Sequence, residues 1–578
     1  MAWARVRAER FSPNPKMPRY PTSPLLTLHD PHAAPRYYEA GLWREDTLYS
    51  LLCDLAERIP HRFALRDGAR RLTWRGLKGW VDAAAGELHG MGLRRGERVA
   101  LWTSNRVECV VALLACARNG YVCNPSLHRN YTVEEVHGLL QWIRARAVVM
   151  EAGYGADAGG EETRERLSGL PGMRRVILLP SSRETGAEFP APDAGPGDLS
   201  EPERNPDAVC YLAFTSGTTG KPKGVMHSHN TLLALCRCIA ADWGLDEHSV
   251  ALSLSPLSHH IAWLALGESL AVGMELVLED PPAGTSLLDW AVETGATYLL
   301  GVPTHAMDLL AEQKRRGAET LGSVKVFFMG GSPIPQSLAE SYLAQGVTPQ
   351  NVYGMTENSA HQYTHPDDDT ETICATTGRG GPSYEVRIFD QAERDREVPP
   401  GTVGEIGGRG AALMLGYFDN QAATEDSFNR DGWFLSGDLG QVDERGNLKI
   451  VGRLKDVVNR GGHKIHPARI EVLAMRHPAI EKAAAFPVPD ERLGEKVCLA
   501  ASGAQVQSLD PQAVLTHLDR EGLSKYDMPE YFIAVESFPL TASGKILKRE
   551  LAQWAADGRI RPTPVRWGGA SSSSEGGE

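Results

Sequence analysis

Apolar and polar positions follow two different periods along much of the chain. Residues 98–102 form a mostly apolar run that is typical of a buried strand. Apolar residues then recur every three or four positions between Val107 and Leu114, which is the spacing of a helix. Ser104 is a candidate N-cap for this helix, Gly120 is a candidate terminator, and residues 121–123 predict the next strand. The pattern therefore predicts a strand–helix–strand unit.

The same alternation returns further along the chain. Residues 324–328 predict a strand that runs into a glycine turn, and a helix is expected to begin near Pro335. Strands and helices that alternate between residues 46 and 450 predict an α/β fold, in which parallel sheets are covered by helices. The segment 155–205, rich in Gly, Pro, Asp and Glu, is predicted to be a surface excursion.

Shifts in composition divide the chain into four parts. Residues 1–45 are predicted to be an irregular arm, and residues 46–454 a large domain. Residues 455–557 are predicted to form a small α+β domain. Residues 558–578 end in a run of Ser, Glu and Gly and are predicted to be a disordered tail.

Charge and apolar content argue against several classes of function. The 578 residues carry a net charge of −13, so the chain has no global attraction to nucleic acid or anionic membrane. The longest apolar run, residues 109–117, is shorter than the ~20 residues that a membrane-spanning helix needs. The start of the chain lacks the apolar stretch of a signal peptide, and nine cysteines are too few for a disulfide scaffold. We therefore expect a cytoplasmic monomer or homodimer.

The strongest chemical signal is the segment 215–224, which directly follows the predicted strand 209–214. Its three glycines allow backbone N–H groups to converge on an anion, and its hydroxyls and lysines add donors and positive charge, which suits a polyphosphate. It is not a Walker A loop, because its glycines are too close together and Lys221 is followed by proline, and the dinucleotide fingerprint is missing. A helix is expected to open near Ser228 or Asn230. The candidate ATP-binding residues of this segment are Thr215, Ser216, Gly217, Thr218, Thr219, Gly220, Lys221 and Lys223.

This segment resembles the phosphate-binding motif of the adenylate-forming superfamily, which includes acyl-CoA synthetases, peptide-synthetase adenylation domains and beetle luciferases. Further motifs of the family follow in the family's order, at residues 353–357, 432–440, 452–453, 459–467 and 539–549. The resemblance spans about 205–550 and extends more weakly back to about 46. It implies a large N-terminal domain of parallel and mixed sheets with a β-barrel-like subdomain, joined by a hinge to a small, mobile α+β C-terminal domain.

The resemblance also implies roles for single residues around ATP. Glu357 is the implied Mg²⁺ ligand, a task that suits a carboxylate beside a triphosphate, and Thr356 contacts the α-phosphate. Asp438 accepts hydrogen bonds from the ribose hydroxyls, and Arg453 reaches the ribose or a phosphate. The remaining implied ATP-binding residues of this group are Tyr353 and Gly354.

The motifs near the C-terminus imply a second half of the reaction. Lys455 matches the family's hinge residue, and Gly461 and Gly462 resemble the loop that faces the active site for thioester formation. Lys545 matches the adenylation lysine, whose ammonium bridges the attacking carboxylate and the phosphate oxygens. The next basic pair, Lys548 and Arg549, is expected to form a solvated helix face.

The resemblance implies ATP, Mg²⁺ and CoA as the cofactors and co-substrates. A carboxylic acid would become an acyl-adenylate with release of pyrophosphate, and the acyl group would then pass to the CoA thiol. Both first reactants are anions, so positioning and charge neutralisation carry the catalysis. The implied catalytic residues are Lys545, Thr356, Glu357 and His259.

Residues 255–263 match the motif that walls the family's acyl pocket. His259 takes the family's usual His position, and His260 and Trp263 are expected to lie near it. Residues 124–132 and 356–366 look like the branch that contains cyclohexanecarboxylate-type, or alicyclic, CoA ligases, while medium-chain and aryl acids stay open as substrates. The other predicted wall residues are Val302, Gly330, Gly331, Ser332, Pro333 and Met355.

Three other functions are weighed against the CoA ligase. An enzyme that loads a separate acyl carrier protein stays open, since no fused carrier domain is visible after residue 550. A non-catalytic binding module is disfavoured because Glu357, Asp438, Arg453 and Lys545 are all present. Nothing in the chain favours a luciferase-like oxygenase.

Overall fold

The computed structural model describes residues 32–182, 188–215, 222–540 and 546–567. The chain divides into two compact units. The first consists of Met1–Val386, Gly408–Phe434 and Arg445–Leu448, and the second of Arg387–Gly407, Leu435–Glu444 and Lys449–Glu578. The predicted domain limits, 46–454 and 455–557, stay predictions.

The first unit is built on two large sheets. Strands β1 (Phe63–Arg66), β2 (Arg71–Thr73) and β9 (Val250–Ser253) to β14 form an eight-stranded sheet in the order β14-β13-β12-β11-β9-β10-β1-β2. Its remaining strands are β10 (Glu275–Leu278), β11 (Tyr298–Gly301), β12 (Val326–Gly330), β13 (Thr348–Met355) and β14 (Ser359–Tyr363). Neighbours from β1 to β13 run parallel, and only the outer strands β2 and β14 pair antiparallel.

The second large sheet has seven strands. Its order is β17-β8-β7-β4-β3-β5-β6, with parallel pairing from β7 to β6 and antiparallel pairing at β8 and β17. Its members are β3 (Arg98–Trp102), β4 (Val122–Asn124), β5 (Ala145–Glu151), β6 (Arg175–Leu179), β7 (Val209–Thr215), β8 (Lys223–Ser228) and β17 (Gly416–Tyr417).

Helices of the first unit accompany these sheets in alternation with the strands. They are α1 (Ala33–Glu39), α2 (Leu48–Arg58), α3 (Trp74–Gly90), α4 (Val107–Asn119), α5 (Val133–Trp142), α6 (Glu161–Ser168), α7 (His229–Asp242), α8 (His260–Val272), α9 (Leu287–Glu293), α10 (Pro303–Arg316), α11 (Gln336–Leu343), α12 (Thr370–Ala375) and α13 (Gln421–Asp426). The predicted α/β fold with helix-covered parallel sheets is thus confirmed.

The two faces of the eight-stranded sheet belong to different apolar cores. Leu300, Phe328 and Val352 lie in the core that also contains residues of α7 and α8. Leu299 and Phe327, one position along the same strands, lie in a second core. Because both faces are covered, the strands are apolar at nearly every position.

Several predicted elements are confirmed within one or two residues. The strand at 98–102 and the helix that ends at Gly120 are present, and Gly120 adopts the left-handed backbone (φ +71°) of a helix terminator. The predicted cap Ser104 is wrong: its backbone N–H and hydroxyl donate to Glu151 at 2.9 and 2.6 Å, and Arg106 is the N-cap residue. The predicted helix start near Ser228 is confirmed, because the Ser228 side chain accepts a hydrogen bond from the Thr231 N–H in the first turn of α7.

Two irregular segments contain more structure than predicted. The excursion at 155–205 includes α6 and also β6, which pairs with β5 and buries Val176 and Ile177. Of the predicted irregular arm, residues 1–31 lie outside the described residues, and residues 32–45 contain α1. Trp43 is buried there and donates from Nε1 to the Ala411 carbonyl at 2.9 Å.

The second unit contains a six-stranded sheet and most residues of a four-stranded one. The four-stranded sheet has the order β15 (Tyr384–Phe389), β16 (Gly404–Gly410), β18 (Phe434–Val442), β19 (Leu448–Arg453). The six-stranded sheet consists of β20 (Val458–Arg460), β21 (His463–Ile465), β22 (Lys482–Asp490), β23 (Gly494–Ser502), β24 (Tyr531–Ala534) and β25 (Thr563–Pro564). Its helices are α14 (Pro467–Ala474), α15 (Pro511–Arg520) and α16 (Lys548–Ala556).

The tail prediction is corrected in part. Strand β25 pairs with Tyr531 and Phe532, so residues 558–567 belong to the folded unit, while residues 568–578 lie outside the described residues. Seven of the nine cysteines are buried, as expected for small apolar residues. Within the described ranges, no helix combines the length and apolarity needed to cross a membrane.

Candidate functional site

The predicted phosphate segment connects the two strands of a hairpin. Strands β7 and β8 pair antiparallel, and their last pair brings Thr215 opposite Lys223. The six predicted ATP-binding residues between them, Ser216 to Lys221, lie outside the described residues. The strand pairing therefore holds both ends of the segment at a defined position beside the seven-stranded sheet.

Glu357 is held by a tyrosine that sequence reasoning missed. The Tyr417 hydroxyl donates to Glu357 Oε1 at 2.9 Å, and the Lys223 ammonium lies 4.4 Å from the centre of the Tyr417 ring. Burial and the Glu357 carboxylate raise the pKa of Tyr417, which keeps the hydroxyl protonated as a donor. The Met414 N–H also donates to the Glu357 carbonyl at 2.7 Å. The site thus combines a positioned carboxylate with the end of the phosphate hairpin.

The motif 353–357 lies at a tight connection between β13 and β14. The Met355 N–H donates to Asn358 Oδ1 at 3.1 Å, and Ser359 adopts a left-handed backbone (φ +54°). A Cβ atom on Gly354 would lie 1.7 Å from the Ser359 carbonyl oxygen, so only glycine fits there. Tyr353, Met355 and Thr356 are half-buried beside it.

His227 fixes the backbone of the same motif, and the sequence analysis did not single it out. Its Nε2–H donates to the Thr356 carbonyl at 2.6 Å, and its Nδ1 lies 3.0 Å from Thr231 Oγ1. Burial lowers the pKa of His227 to about 4, so the ring is neutral near pH 7. The only signal in the sequence is its position three residues after Gly224, at the end of the phosphate segment.

His260 belongs to a chain of polar contacts beside the motif. Its Nε2 lies 2.8 Å from Ser359 Oγ, and its Nδ1 lies 3.3 Å from the Tyr211 hydroxyl. The ring stacks on His227 with centroids 5.6 Å apart. Burial lowers the pKa of His260 to about 3, while its side chain stays partly accessible. A neutral histidine that is largely buried but keeps part of its side chain accessible is suited to the wall of a cleft.

His259 is the N-cap residue of α8 and contacts a second histidine. The His128 ring lies 4.6 Å from the His259 ring, and His128 Nδ1 lies 3.0 Å from Ser258 Oγ. Burial lowers the pKa of His128 to about 4. The segment 124–132 and the motif 255–263, both singled out in the sequence, therefore meet here.

The other predicted wall residues differ in how deeply they are buried. Gly330 is buried, and a Cβ atom on it would lie 3.9 Å from Ile261 Cδ1. Trp263 is buried against Tyr211, with ring centroids 5.1 Å apart. Val302 is half-buried at the start of α10. The exposed residues after β12 are Gly331, Ser332 and Pro333.

The predicted ribose residues form an ion pair in the second unit. Arg453 Nε lies 3.3 Å from Asp438 Oδ1, at the end of β19 beside β18. The Asp438 carboxylate is nearly buried, whereas the Arg453 side chain is half exposed. An acceptor-only carboxylate with one cation beside it suits a vicinal diol.

Residues 461–462 form the two-residue turn of the β20–β21 hairpin. Both glycines have positive φ angles, +60° and +92°, and Arg460 pairs with His463 across the turn. This is the geometry for which adjacent glycines are favoured. The Gly461 N–H donates to the Leu493 carbonyl at 2.7 Å, which fixes the turn.

Three lysines of the second unit have different environments. Lys455 lies in a short 3-10 turn, and burial and the neighbouring Arg453 lower its pKa. Lys545 lies outside the described residues. Lys548 was expected on a solvated face, but its ammonium pairs with Glu471 at 2.6 Å, and Asp456 lies 3.8 Å away.

The donor set near Glu357 limits the metals that it suits. In the parts of the chain that the structure describes, no group of three or more His, Cys, Asp or Glu side chains could hold a metal ion. Mg²⁺ is the divalent ion that proteins bind with one or two carboxylates together with substrate phosphates and water. A single positioned carboxylate beside a phosphate hairpin fits that mode.

Comparison with known proteins agrees with this arrangement. The "AMP-binding enzyme" family model matches residues 54–418, and the "AMP-binding enzyme C-terminal domain" model matches residues 469–545. The medium-chain fatty-acid–CoA ligase of Escherichia coli K12 is 29% identical over 540 residues, 90% of this chain and 93% of that protein. The salicyl-AMP ligase/salicyl-S-ArCP synthetase of Mycobacterium tuberculosis is 32% identical over 535 residues, 90% of this chain and 93% of that protein.

The fold is also found among solved structures. The ATP-bound crystal structure of MatB from Rhodopseudomonas palustris superposes with a TM-score of 0.79 at 27% identity, covering 89% of this chain and 99% of that one. The two family models match in succession along the chain, and the relatives match it over nearly their whole length. The chain therefore belongs to the AMP-binding enzyme family, and it is an AMP-forming acid–thiol ligase.

Proposed function

We propose that this ligase activates a ring-bearing or medium-chain carboxylic acid with ATP and passes the acyl group to the thiol of CoA. The observation that carries the proposal is the contact of Tyr417 with both Glu357 and Lys223. It brings a carboxylate for a metal and a cation for phosphate to one face of the first unit. These are the two requirements for neutralising a triphosphate during attack by a carboxylate.

The geometry of the first unit supports the roles that we propose for its residues. The hairpin ends, Thr215 and Lys223, hold the segment that would cradle the phosphates. Glu357 would hold Mg²⁺ together with phosphate oxygens, and the ion would neutralise charge on the phosphates. The Thr356 side chain would contact the α-phosphate, with its backbone anchored by His227.

The roles of the second unit are proposed from matching residues. Asp438 would bind the ribose hydroxyls, supported by its ion pair with Arg453. Lys545 would bind the reacting carboxylate and the α-phosphate during adenylation. We propose Lys455 as the hinge of a mobile small domain, so that the fixed turn at Gly461 and Gly462 replaces Lys545 for the thioester step.

The acid would bind against the histidine wall of the first unit. His259 and His260 are partly accessible, and burial lowers the pKa of His260 to about 3, which keeps that ring neutral near pH 7. Gly330 and Ile261 lie next to each other on the same surface. An apolar acid such as an alicyclic or medium-chain one fits these surroundings, and the E. coli relative is named for medium-chain fatty acids. The alicyclic preference is proposed from the segments 124–132 and 356–366.

A carrier protein is the second candidate acceptor. The relative from M. tuberculosis is named both as a salicyl-AMP ligase and as a salicyl-S-ArCP synthetase, so a carrier thiol takes the place of CoA in at least one whole-length relative. CoA is the acceptor in the name of the E. coli relative. The two acceptors use the same adenylate and differ only in the second half-reaction.

The experiment measures both half-reactions on one panel of acids. Alicyclic, aryl and straight-chain acids are each incubated with ATP and Mg²⁺, with and without CoA, and pyrophosphate, acyl-AMP and acyl-CoA are quantified by mass spectrometry. Lys545→Ala is expected to lower adenylation by about 100-fold or more, as expected for loss of a charge-stabilising group. Tyr342→Phe, a buried tyrosine whose hydroxyl donates to the Ala306 carbonyl, is the control.

The two outcomes are distinct. A CoA thioester that forms with one acid class and is lost in Lys545→Ala supports the proposal. Acyl-AMP that accumulates and never reaches CoA would overturn the CoA assignment and favour a carrier protein as the acceptor.

A further inference from the structure

A buried acid on α8 has no partner in the described part of the fold. Glu268 is 0% exposed, and neither of its carboxyl oxygens has a hydrogen-bond partner among the described residues. The Nε2 of Gln350, also 0% exposed, lacks one as well. Buried polar atoms without partners are rare in proteins because each costs free energy.

Glu268 lies on the face of α8 that carries the wall of the acyl site. Ile261 and Glu268 are seven residues apart, which is almost two full turns, so their side chains leave the helix on the same side. Ile261 is the residue that faces Gly330 at the predicted wall. At 1.5 Å per residue, Glu268 lies ~10 Å further along the helix from that wall.

The sheet face opposite α8 also runs from residues of the predicted wall to a buried polar residue further along. Gln350, Val352 and Gly354 alternate on β13 and therefore share one face, on which Phe328 pairs with Gln350 and Gly330 pairs with Val352. The Tyr298 hydroxyl donates to Gln350 Oε1 at 2.9 Å, which leaves the Gln350 amide nitrogen as a free donor. This face thus passes from Gly354 and Gly330 at the wall, along apolar side chains, to a polar group at its far end.

Glu268 and Gln350 lie at the same end of this face. Helix α8, which carries Glu268, packs against β11, the strand that begins with Tyr298, and the Tyr298 hydroxyl bonds Gln350. Burial raises the pKa of Tyr298, and the charge of Glu268 raises it further. Burial also raises the pKa of Glu268 itself well above its usual range. A protonated carboxyl group offers one O–H donor and one carbonyl acceptor.

We propose that Glu268 and Gln350 form the floor of the acyl site and bind a hydroxyl or keto oxygen at the far end of the substrate acid. The inference rests on the proposed function, since it uses the same acyl wall. The substrate class is a carboxylic acid, alicyclic, aryl or straight-chain, whose polar end group lies ~7–10 Å from the wall at Gly330. The apolar residues between wall and floor accept the body of the acid, and the floor selects its end.

The test compares acids that differ only in this end group. The pairs are ω-hydroxyoctanoate with nonanoate, and para-hydroxycinnamate with para-methylcinnamate, so that each hydroxyl is replaced by a methyl group. The kcat/KM for pyrophosphate release is measured with ATP and Mg²⁺. A site built to bond a hydroxyl discriminates strongly against its methyl analogue, so the parent enzyme is expected to prefer one hydroxy acid by about 100-fold or more.

Variants of Glu268 test whether this residue is responsible for the preference. Glu268→Leu is expected to reduce the ratio of the two kcat/KM values to below about 3-fold, because the group that bonds the hydroxyl is gone. Glu268→Gln keeps the volume of the side chain and is expected to lower the ratio about 10-fold, which covers the case in which Glu268→Leu does not fold. Gln313 on α10 is a similarly buried polar residue, and its side chain donates to Gln345. Gln313→Leu is expected to leave the ratio unchanged.

Three results would overturn the inference in different ways. Equal rates on hydroxy and methyl acids in the parent enzyme would show that Glu268 is a core residue, bonded to a trapped water. An unchanged preference in both Glu268 variants would place the selecting group elsewhere. Pyrophosphate release with none of the acids would overturn the proposed function, and the inference with it.

Discussion

Tyr417 donates a hydrogen bond of 2.9 Å to Glu357, across 60 residues of chain. The same ring lies 4.4 Å from the ammonium of Lys223, at the end of the phosphate hairpin. One tyrosine therefore orients the proposed metal carboxylate and contacts the cation next to it. A hydrogen bond from a neighbouring side chain to a metal-binding carboxylate holds that carboxylate in the orientation that the metal needs.

Tyr417→Phe is expected to weaken the response to Mg²⁺ more than it weakens the fold. Loss of one hydrogen bond to a charged group corresponds to about 1.5–3 kcal/mol, so kcat/KM should fall by about 10- to 100-fold. The Mg²⁺ concentration at half-maximal rate should rise as well, measured by pyrophosphate release. Tyr342→Phe loses a buried hydroxyl bond of 2.7 Å to Ala306 but should keep the Mg²⁺ response of the parent. An unchanged Mg²⁺ response in Tyr417→Phe would contradict the positioning role.

Gly354→Ala is expected to disrupt the turn that carries Thr356 and Glu357. Its Cβ atom would lie 1.7 Å from the Ser359 carbonyl oxygen, a backbone atom that cannot rotate away. We expect a loss of about 1–3 kcal/mol in the free energy of unfolding, and at least 10-fold in kcat/KM. The control is Gly138→Ala, at an exposed helical position with nothing within 4 Å, where alanine should stabilise the protein by up to ~1 kcal/mol. Urea unfolding and steady-state rates check both variants, and parent-like values for Gly354→Ala would show that the turn adapts.

Asp438→Ala is expected to raise the KM for ATP. The carboxylate is nearly buried and pairs with Arg453 at 3.3 Å, so its loss removes a charged acceptor for the ribose hydroxyls. A loss of 10- to 100-fold in kcat/KM for ATP corresponds to about 1.4–2.8 kcal/mol, as measured for hydrogen bonds to charged groups. The exposed pair Arg409–Glu385, at 2.9 Å, supplies the control Glu385→Ala, which should change little. An unaltered KM for ATP in Asp438→Ala would exclude the ribose role.

The free energy of unfolding of the first unit is expected to fall on acidification, beginning at a pH well above the range in which most carboxylates titrate. Burial lowers the pKa of His227 to about 4 and those of His229, His260 and His361 to about 3. In the unfolded chain these rings titrate near pH 6.5, so the unfolded state binds more protons and stability falls as the pH drops below about 6.5. Glu268 acts in the opposite sense, because burial raises its pKa and the folded state therefore binds this proton more tightly than the unfolded state does. Urea unfolding at pH 7.5 and 5.5 should show a net loss of several kcal/mol.

His361→Phe is expected to reduce this acid sensitivity. Neither ring nitrogen has a partner among the described residues, and the ring packs 4.2 Å from that of Tyr384. The variant should lose about 1 kcal/mol less than the parent between pH 7.5 and 5.5, because one proton-binding group is gone. An equal loss in both proteins would show that His361 is already hydrated and titrates in the fold.

The sequence predicted the elements whose signals are local. The run 98–102, the helix that ends at Gly120 and the cap Ser228 each depend on residues within one or two turns of the chain. Periodicity and capping act over that distance. Strand β6 was missed because its apolar residues stand inside a Gly-, Pro- and acid-rich segment, and only pairing with β5 shows its place.

The motifs of the site are contiguous in sequence, whereas their supporting contacts are not. The motif 353–357 and the phosphate segment 215–224 could be recognised because each is a short stretch of consecutive residues. His227 and Thr356 are 129 residues apart, and no local pattern links them. Only the order of the strands brings such residues together.

The sequence alone determined the α/β class and the family, because these depend on short motifs and on hydrophobic period, and it predicted which residues carry the common chemistry. The tertiary structure decided which side chains hold those residues in place, Tyr417 on Glu357 and His227 on Thr356. It also decided that the Glu268 carboxyl oxygens and the Gln350 amide nitrogen are buried without partners among the described residues. The physical reason is that burial and hydrogen bonding across a parallel sheet depend on strand order and register, which no single stretch of the chain encodes.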